Sequence, residues 1–336
     1  MELKLLLKRG GLLAAANWPI VAIQFVAETT FQALLAVPVI GAAILVAVLL
    51  GGDLANLLQG STREIFTAIA NALMSEPIAL VAFIAAFGIV LVGGSVLMFL
   101  VKGGVVDVML QADDQAGPIE HEALTLGNLR QATCFNVERF VAASGALFRR
   151  YLVLGVALMI VYAVSGAAYL AFIVYGYRTA GEGGFVIEWT LLAALSAVAL
   201  VLWITAVNLI YLLLQIVTAI DDLPFGLAIR AVVGFIRSEF LELGGVFLVV
   251  FGMVIGATFA SALAWSGVGL IAFVPLVGLA VFPLQIAALI LRGLVFEYIG
   301  LTAMGAYITL YRRYAAREHL TQGLTASSVA RSVSAG

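Results

Sequence analysis

The sequence predicts an all-α polytopic transmembrane bundle of six spans with amphipathic surface helices, and three observations lead there. Of 336 residues, 64% are hydrophobic and 11% charged, with a mean hydropathy of +1.16, whereas a typical soluble domain is about 25% charged. Stretches such as Ile78 to Val101, Leu191 to Ile220 and Gly244 to Trp265 carry few or no charges, and each exceeds the roughly 18 to 20 residues that cross about 30 Å of hydrocarbon. The ten-residue alternation of apolar and polar residues that marks a transmembrane barrel is absent.

In chain order, residues 1–17 form an amphipathic N-terminus with a basic start, "MELKLLLKRGG". The apolar stretch behind it runs to Leu50 without a small-residue cleavage site, so it is expected to be a retained first span and not a signal peptide. Spans are expected at 18–48, 78–102, 146–174, 189–219, 244–266 and 284–311, within a single transmembrane domain over 18–312. In the loop after span one, "STREIFTAIANALM" pairs Ser61 with Glu64 as a capping box and repeats apolar residues at helical spacing, which predicts a helix lying on the bilayer surface. Residues 267–283, "GVGLIAFVPLVGLAVFP", are apolar but interrupted by Pro275, Gly278 and Pro283, and are expected to be a broken or re-entrant stretch leading into span six. The polar segment 313–336 is expected to be a disordered tail.

Cations set the orientation. Lys4, Lys8 and Arg9 precede span one; Lys102, Arg130, Arg139, Arg149 and Arg150 lie between spans two and three; Arg230 and Arg237 lie between four and five; Arg312, Arg313, Arg317 and Arg331 follow span six. That places 14 of 17 Lys and Arg on one face, so the positive-inside rule predicts cytoplasmic termini.

The connectors on that face repeat at an offset of one hundred residues. "LRQATCFNVERF" from 129 matches "IRAVVGFIRSEF" from 229, and each copy follows an acidic pair and a proline: Asp113-Asp114 with Pro118, and Asp221-Asp222 with Pro224. The repeat units are 78–174 and 189–266. Acids suit a helix start and phenylalanines supply an apolar face, so each copy is expected to be a short surface helix. Arg130, Arg139, Arg230 and Arg237 are the candidate contacts for anionic lipid head groups, or else simple topology anchors.

This layout resembles a loose group of bacterial integral membrane proteins, among them the membrane domain attached to some glycerophosphodiester phosphodiesterases. The likeness runs through "VKGGVVDVML" after span two, "AIRAVVGFIRSEF" before span five and "LYRRY" at the end of span six. The soluble phosphodiesterase domain has no counterpart here, so the resemblance implies a six-span architecture in a bacterial inner membrane and not that activity.

No P-loop, G-x-S-x-G or H-E-x-x-H is present. Both histidines, His121 and His319, fall outside the spans, and Cys134 is the only cysteine, which excludes an internal disulfide and a cysteine-built zinc site. A non-enzymatic protein is therefore expected, with no cofactor, metal or nucleic-acid partner. The expected partners are membrane lipids and other membrane protein subunits.

The informative residues are ionisable groups inside the spans, where they usually face the bundle interior and pair. Glu28 lies about ten residues into span one, and Arg292 and Glu297 lie in span six within "ILRGLVFEYIG". Five residues on one helix separate Arg292 and Glu297 by about 140°, so Arg292 is expected to pair with Glu28 and make spans one and six neighbours. Gln24, Gln32 and Gln285, with Thr29 and Thr30, add hydrogen-bonding capacity. The set reads either as a structural clamp or as a proton- or solute-binding site of a transporter, with helix breaks expected near Pro38 and Pro275.

Overall fold

The computed structural model describes residues 2–50, 76–122, 125–272 and 277–334. Within them the regular elements are all helices: α1 (Leu3–Ala16), α2 (Trp18–Leu50), α3 (Pro77–Gln115), α4 (Leu126–Gln131), α5 (Val137–Gly183), α6 (Val186–Asp221), α7 (Phe225–Ser238), α8 (Phe240–Ala272) and α9 (Val277–Ser334). Six of these, α2, α3, α5, α6, α8 and α9, are long and apolar enough to cross a membrane. The all-α, six-span expectation is met. The surface helix expected over 61–74 lies outside the described residues.

Packing places the spans in the order α6, α5, α3, α2, α9, α8, each touching the next. Most of their length is apolar and outward-facing: the buried share of the span window is 0% in α5 and reaches only 28% in α9. In lipid such a surface carries no penalty, because acyl chains are as apolar as leucine side chains. The buried core therefore gathers elsewhere, at the cation-rich end, where Leu6, Leu13, Met109, Ile216, Phe235, Leu301, Met304 and Tyr307 are all within 2% of full burial.

The N-terminal segment is a central part of that core. Helix α1 packs across α9, and the contact is made by glycines. A Cβ on Gly10 would overlap the Thr302 carbonyl oxygen and lie 2.9 Å from the Ala306 nitrogen, and one on Gly305 would lie 2.8 Å from the Gly10 Cα. Small residues at a crossing let two backbones approach this closely. The sequence reads 1–17 as amphipathic, but only the partner helix explains why its apolar face is buried instead of lying on lipid.

Several boundaries differ from expectation. Helix α2 continues through Pro38 without a break. The 267–283 stretch is divided between the last turns of α8 and the first turns of α9, with residues 273–276, including Pro275, outside the described residues. The expected disordered tail is instead a helical continuation of α9 as far as Ser334.

The two repeat units correspond to α3 and α5, connected through α4, and to α6 and α8, connected through α7; α3 packs on α5, whereas α6 and α8 lie at opposite ends of the packing order. The connectors are unequal, however: α4 has 6 residues and α7 has 14. Where the second copy has Ile236, the first has Asn136, whose side chain caps the Glu138 N–H at 2.9 Å and starts α5 afresh. The intervening non-helical residues need partners for their backbone groups, and Asn17, fully buried at the end of α1, supplies two. Its amide donates to the Ala132 carbonyl at 2.8 Å, and its carbonyl oxygen accepts from the Cys134 N–H at 2.8 Å.

Candidate functional site

The acidic pairs do not start the surface helices; they sit at the C-terminal ends of α3 and α6. There the helix dipole disfavours negative charge, and cations from elsewhere compensate it. Asp113 is buried and accepts from Arg9 at 2.7 Å, from Arg312 at 3.0 Å and from the Thr309 hydroxyl at 3.1 Å. Arg9 reaches further, to the Glu120 carboxylate at 2.7 Å and the Gly117 carbonyl at 2.5 Å, while Lys8 donates to the Glu120 carbonyl at 2.6 Å. Arg312 also grips Asp114 through both its terminal nitrogens. At the second acidic pair, Asp221 accepts from Tyr311 and Asp222 pairs with Arg150.

Adjacent residues of α9, Tyr311 and Arg312, thus hold the two acidic pairs, and Arg9 fastens α1 to the first. Burial by itself would lower the Arg9 pKa, but the Asp113 and Glu120 carboxylates more than offset that and raise it. Burial would likewise raise the Glu120 carboxyl; its own backbone N–H and the Arg9 guanidinium outweigh this and hold it below the usual carboxylate range. In the sequence the cations of this group mark orientation and the Asp-Asp pairs suit helix starts; neither pattern shows that they meet. The available signal was the two Asp-Asp pairs themselves, which needed cations from two other segments.

The residues expected inside the membrane do converge. Glu28, Thr29 and Gln32 of α2 and Arg292 and Glu297 of α9 line one cavity of about 310 Å³, together with Phe25 and Phe296. Phe25 lies over Gly293, where a Cβ would overlap its ring, so the two helices are in direct contact there. The adjacency of spans one and six is as expected; the pairing is not. Among the described residues Arg292 forms no ion pair with Glu28, and its guanidinium instead lies 5.6 Å from the Phe296 ring centre. Glu297, buried, accepts from the Gln24 amide and meets the Glu28 carboxyl, which also accepts from Gln32 at 3.2 Å.

The cation near these carboxyl groups is Lys102, half-buried on α3 and within electrostatic range of both Glu297 and Glu28. Sequence reading assigned Lys102 to the connector, because hydropathy ended span two at residue 102, whereas α3 continues to Gln115. Gln285 stands apart from the polar group. With Arg292, Phe296 and Ser261 it lines a second cavity of about 270 Å³ between α8 and α9, otherwise walled by alanines such as Ala257, Ala260 and Ala264 and by other apolar residues. Arg292 and Phe296 therefore belong to both cavities, one polar and one apolar.

Arg130, Arg139, Arg230 and Arg237 are all exposed at the cation-rich end, and Arg139 lies 3.6 Å from Asp107. Among the described residues no group of three His, Cys, Asp or Glu is arranged to hold a metal ion.

Fold and site together define a polytopic α-helical membrane protein with a charge-locked end and a polar cavity between its first and last spans. Comparisons with protein-family models, curated proteins and solved structures found no match.

Proposed function

We propose that this is a non-enzymatic protein of a bacterial inner membrane, with cytoplasmic termini, that holds the head group of a zwitterionic lipid or similar amphiphile between α2 and α9. One observation carries the reading: Arg292, without an ion-pair partner among the described residues, stands where a polar cavity adjoins an apolar one. A phosphate on Arg292 and an ammonium on Glu28 and Glu297 match the charges of that cavity, and the alanine-lined cavity beside it suits an acyl chain. Its volume of about 310 Å³ falls at the lower end of the roughly 300–1,000 Å³ of ligand pockets. The excess of cations at one end supports the orientation. The absence of any catalytic signature in the sequence supports a non-enzymatic role.

Native mass spectrometry of the full chain with added phosphatidylethanolamine tests this. The wild type is expected to retain the lipid, and Arg292→Gln and Glu28→Gln each to weaken retention by about tenfold, equivalent to ~1.4 kcal/mol. Equal retention by all three would refute it. The meeting of Glu28 and Glu297 near Lys102 favours a second reading, a permease, in which Glu28→Gln abolishes proton flux into proteoliposomes without altering lipid retention.

A further inference from the structure

The carboxyl groups of Glu28 and Glu297, both lining the α2–α9 cavity, are in hydrogen-bond contact with each other. Two ionised carboxylates have no donor to place between them, so this contact requires one proton held by the pair. One proton also balances the local charge. Lys102 of α3 lies within electrostatic range of both carboxyl groups, and with a single proton on the pair, Glu28, Glu297 and Lys102 sum to zero. Arg292 of α9 is the further charge on the cavity, where Thr29 and Gln32 are neutral; α1 and α8, which also pack against α9, place no charged residue in its lining.

Gln24 is fitted to a group that gains and loses a proton. It is 5% exposed, and its amide N–H donates to the Glu297 carboxylate, while its carbonyl oxygen has no hydrogen-bond partner. With Glu297 ionised, the N–H is the group that the carboxylate needs. With Glu297 protonated, the same amide turned over offers its free oxygen to the carboxyl O–H. One buried side chain in direct contact with Glu297 thus serves both protonation states.

We propose that the Glu28–Glu297 pair is a proton-binding site at which one proton and the ammonium of the bound amphiphile exclude each other. This rests on the head-group reading of the α2–α9 cavity and adds what the head group displaces. On binding, the carboxyl O–H bond breaks, its electron pair stays on the carboxylate oxygen and the proton leaves to water. The ammonium then replaces the proton charge for charge between two ionised carboxylates, and the phosphate meets Arg292. Release of the amphiphile reverses the step, with one proton taken up for each amphiphile that leaves.

Calorimetric titration of the full chain in detergent with phosphatidylethanolamine, in two buffers of different ionisation enthalpy, counts the protons released per lipid bound. About one is expected at about pH 6, with affinity weakening by up to about tenfold per unit as pH falls from about 8 to about 6. Phosphatidylglycerol, which has no ammonium, should release none. In Glu28→Gln the new amide donates to Glu297 without a proton, so release should disappear and the weaker affinity should be flat over the same range; Glu297→Gln should behave alike. Binding of phosphatidylethanolamine by the wild type with no proton released and no pH dependence would overturn the exchange and leave the head-group reading standing, whereas no binding at any pH would overturn both. Equal release with phosphatidylglycerol, or undiminished release in both variants, would place the proton elsewhere and overturn the assignment.

Discussion

Arg9 shows how one side chain can decide the placement of a helix. Its three guanidinium nitrogens reach two carboxylates and two carbonyls at and just beyond the C-terminal end of α3, a fan that a lysine ammonium does not reproduce. The charge is buried, so its value depends on every partner staying ionised. Glu120 is the partner exposed to a simple pH test. Its folded-state pKa lies below the unfolded value of about 4.3. It therefore contributes stability that is fully present above that pH and is lost as pH falls through the folded value. In a series of thermal unfolding measurements, Glu120→Gln should unfold several degrees below the wild type at pH 7, and the gap should close as pH falls below about 4. A gap of the same size at every pH would mean that Glu120 acts by packing alone.

At the scale of elements, the decisive contact is the glycine crossing of α1 and α9. Gly10→Ala puts a methyl group against the Thr302 carbonyl and the Ala306 nitrogen, backbone atoms that move only if a helix moves. Overpacking of this kind typically costs about 1 to 3 kcal/mol, and the variant should unfold measurably earlier. Gly88→Ala is the contrast, since a Cβ there meets nothing within 4 Å and Ala favours a helix interior over Gly; its Tm should be no lower than that of the wild type. The crossing was not legible in the sequence. "KRGGLLAAANW" shows small and apolar residues without naming what they pack against, and a free amphipathic segment satisfies the same pattern. The unequal connectors were half legible: the repeat announced two connectors, and Asn136 in place of Ile236 carried the difference, but the role of Asn17 in pairing the exposed backbone required the third dimension.

Across the whole molecule, buried contacts concentrate at one end and lipid-facing surface covers the rest. Ion pairs from Arg9, Arg312 and Arg150 bring the N-terminus, the connector after α3, the connector after α6 and the end of the last span to that same end, as the cation count requires of an even number of spans. The spans themselves were legible because hydrophobic length alone decides them. Their adjacency in one case, α2 with α9, was legible because polar groups in hydrocarbon need partners. The identity of those partners was not, because Lys102 entered the site through thirteen further residues of α3 helix that hydropathy had assigned to a connector. Arg292 consequently retains a free face, and from that follows the central claim that the α2–α9 cavity receives a polar group at span depth. Glu28 lies ten residues beyond Trp18, about 15 Å along the helix. The most direct measurement is thiol labelling of Thr29→Cys, Gln32→Cys and Val26→Cys in a Cys134→Ser background with a hydrophilic, membrane-impermeant reagent. Val26 shares the helix but is an exposed apolar residue outside the cavity lining. Labelling at positions 29 and 32 at least tenfold faster than at 26 is the result the account predicts; equal and negligible labelling at all three would contradict it.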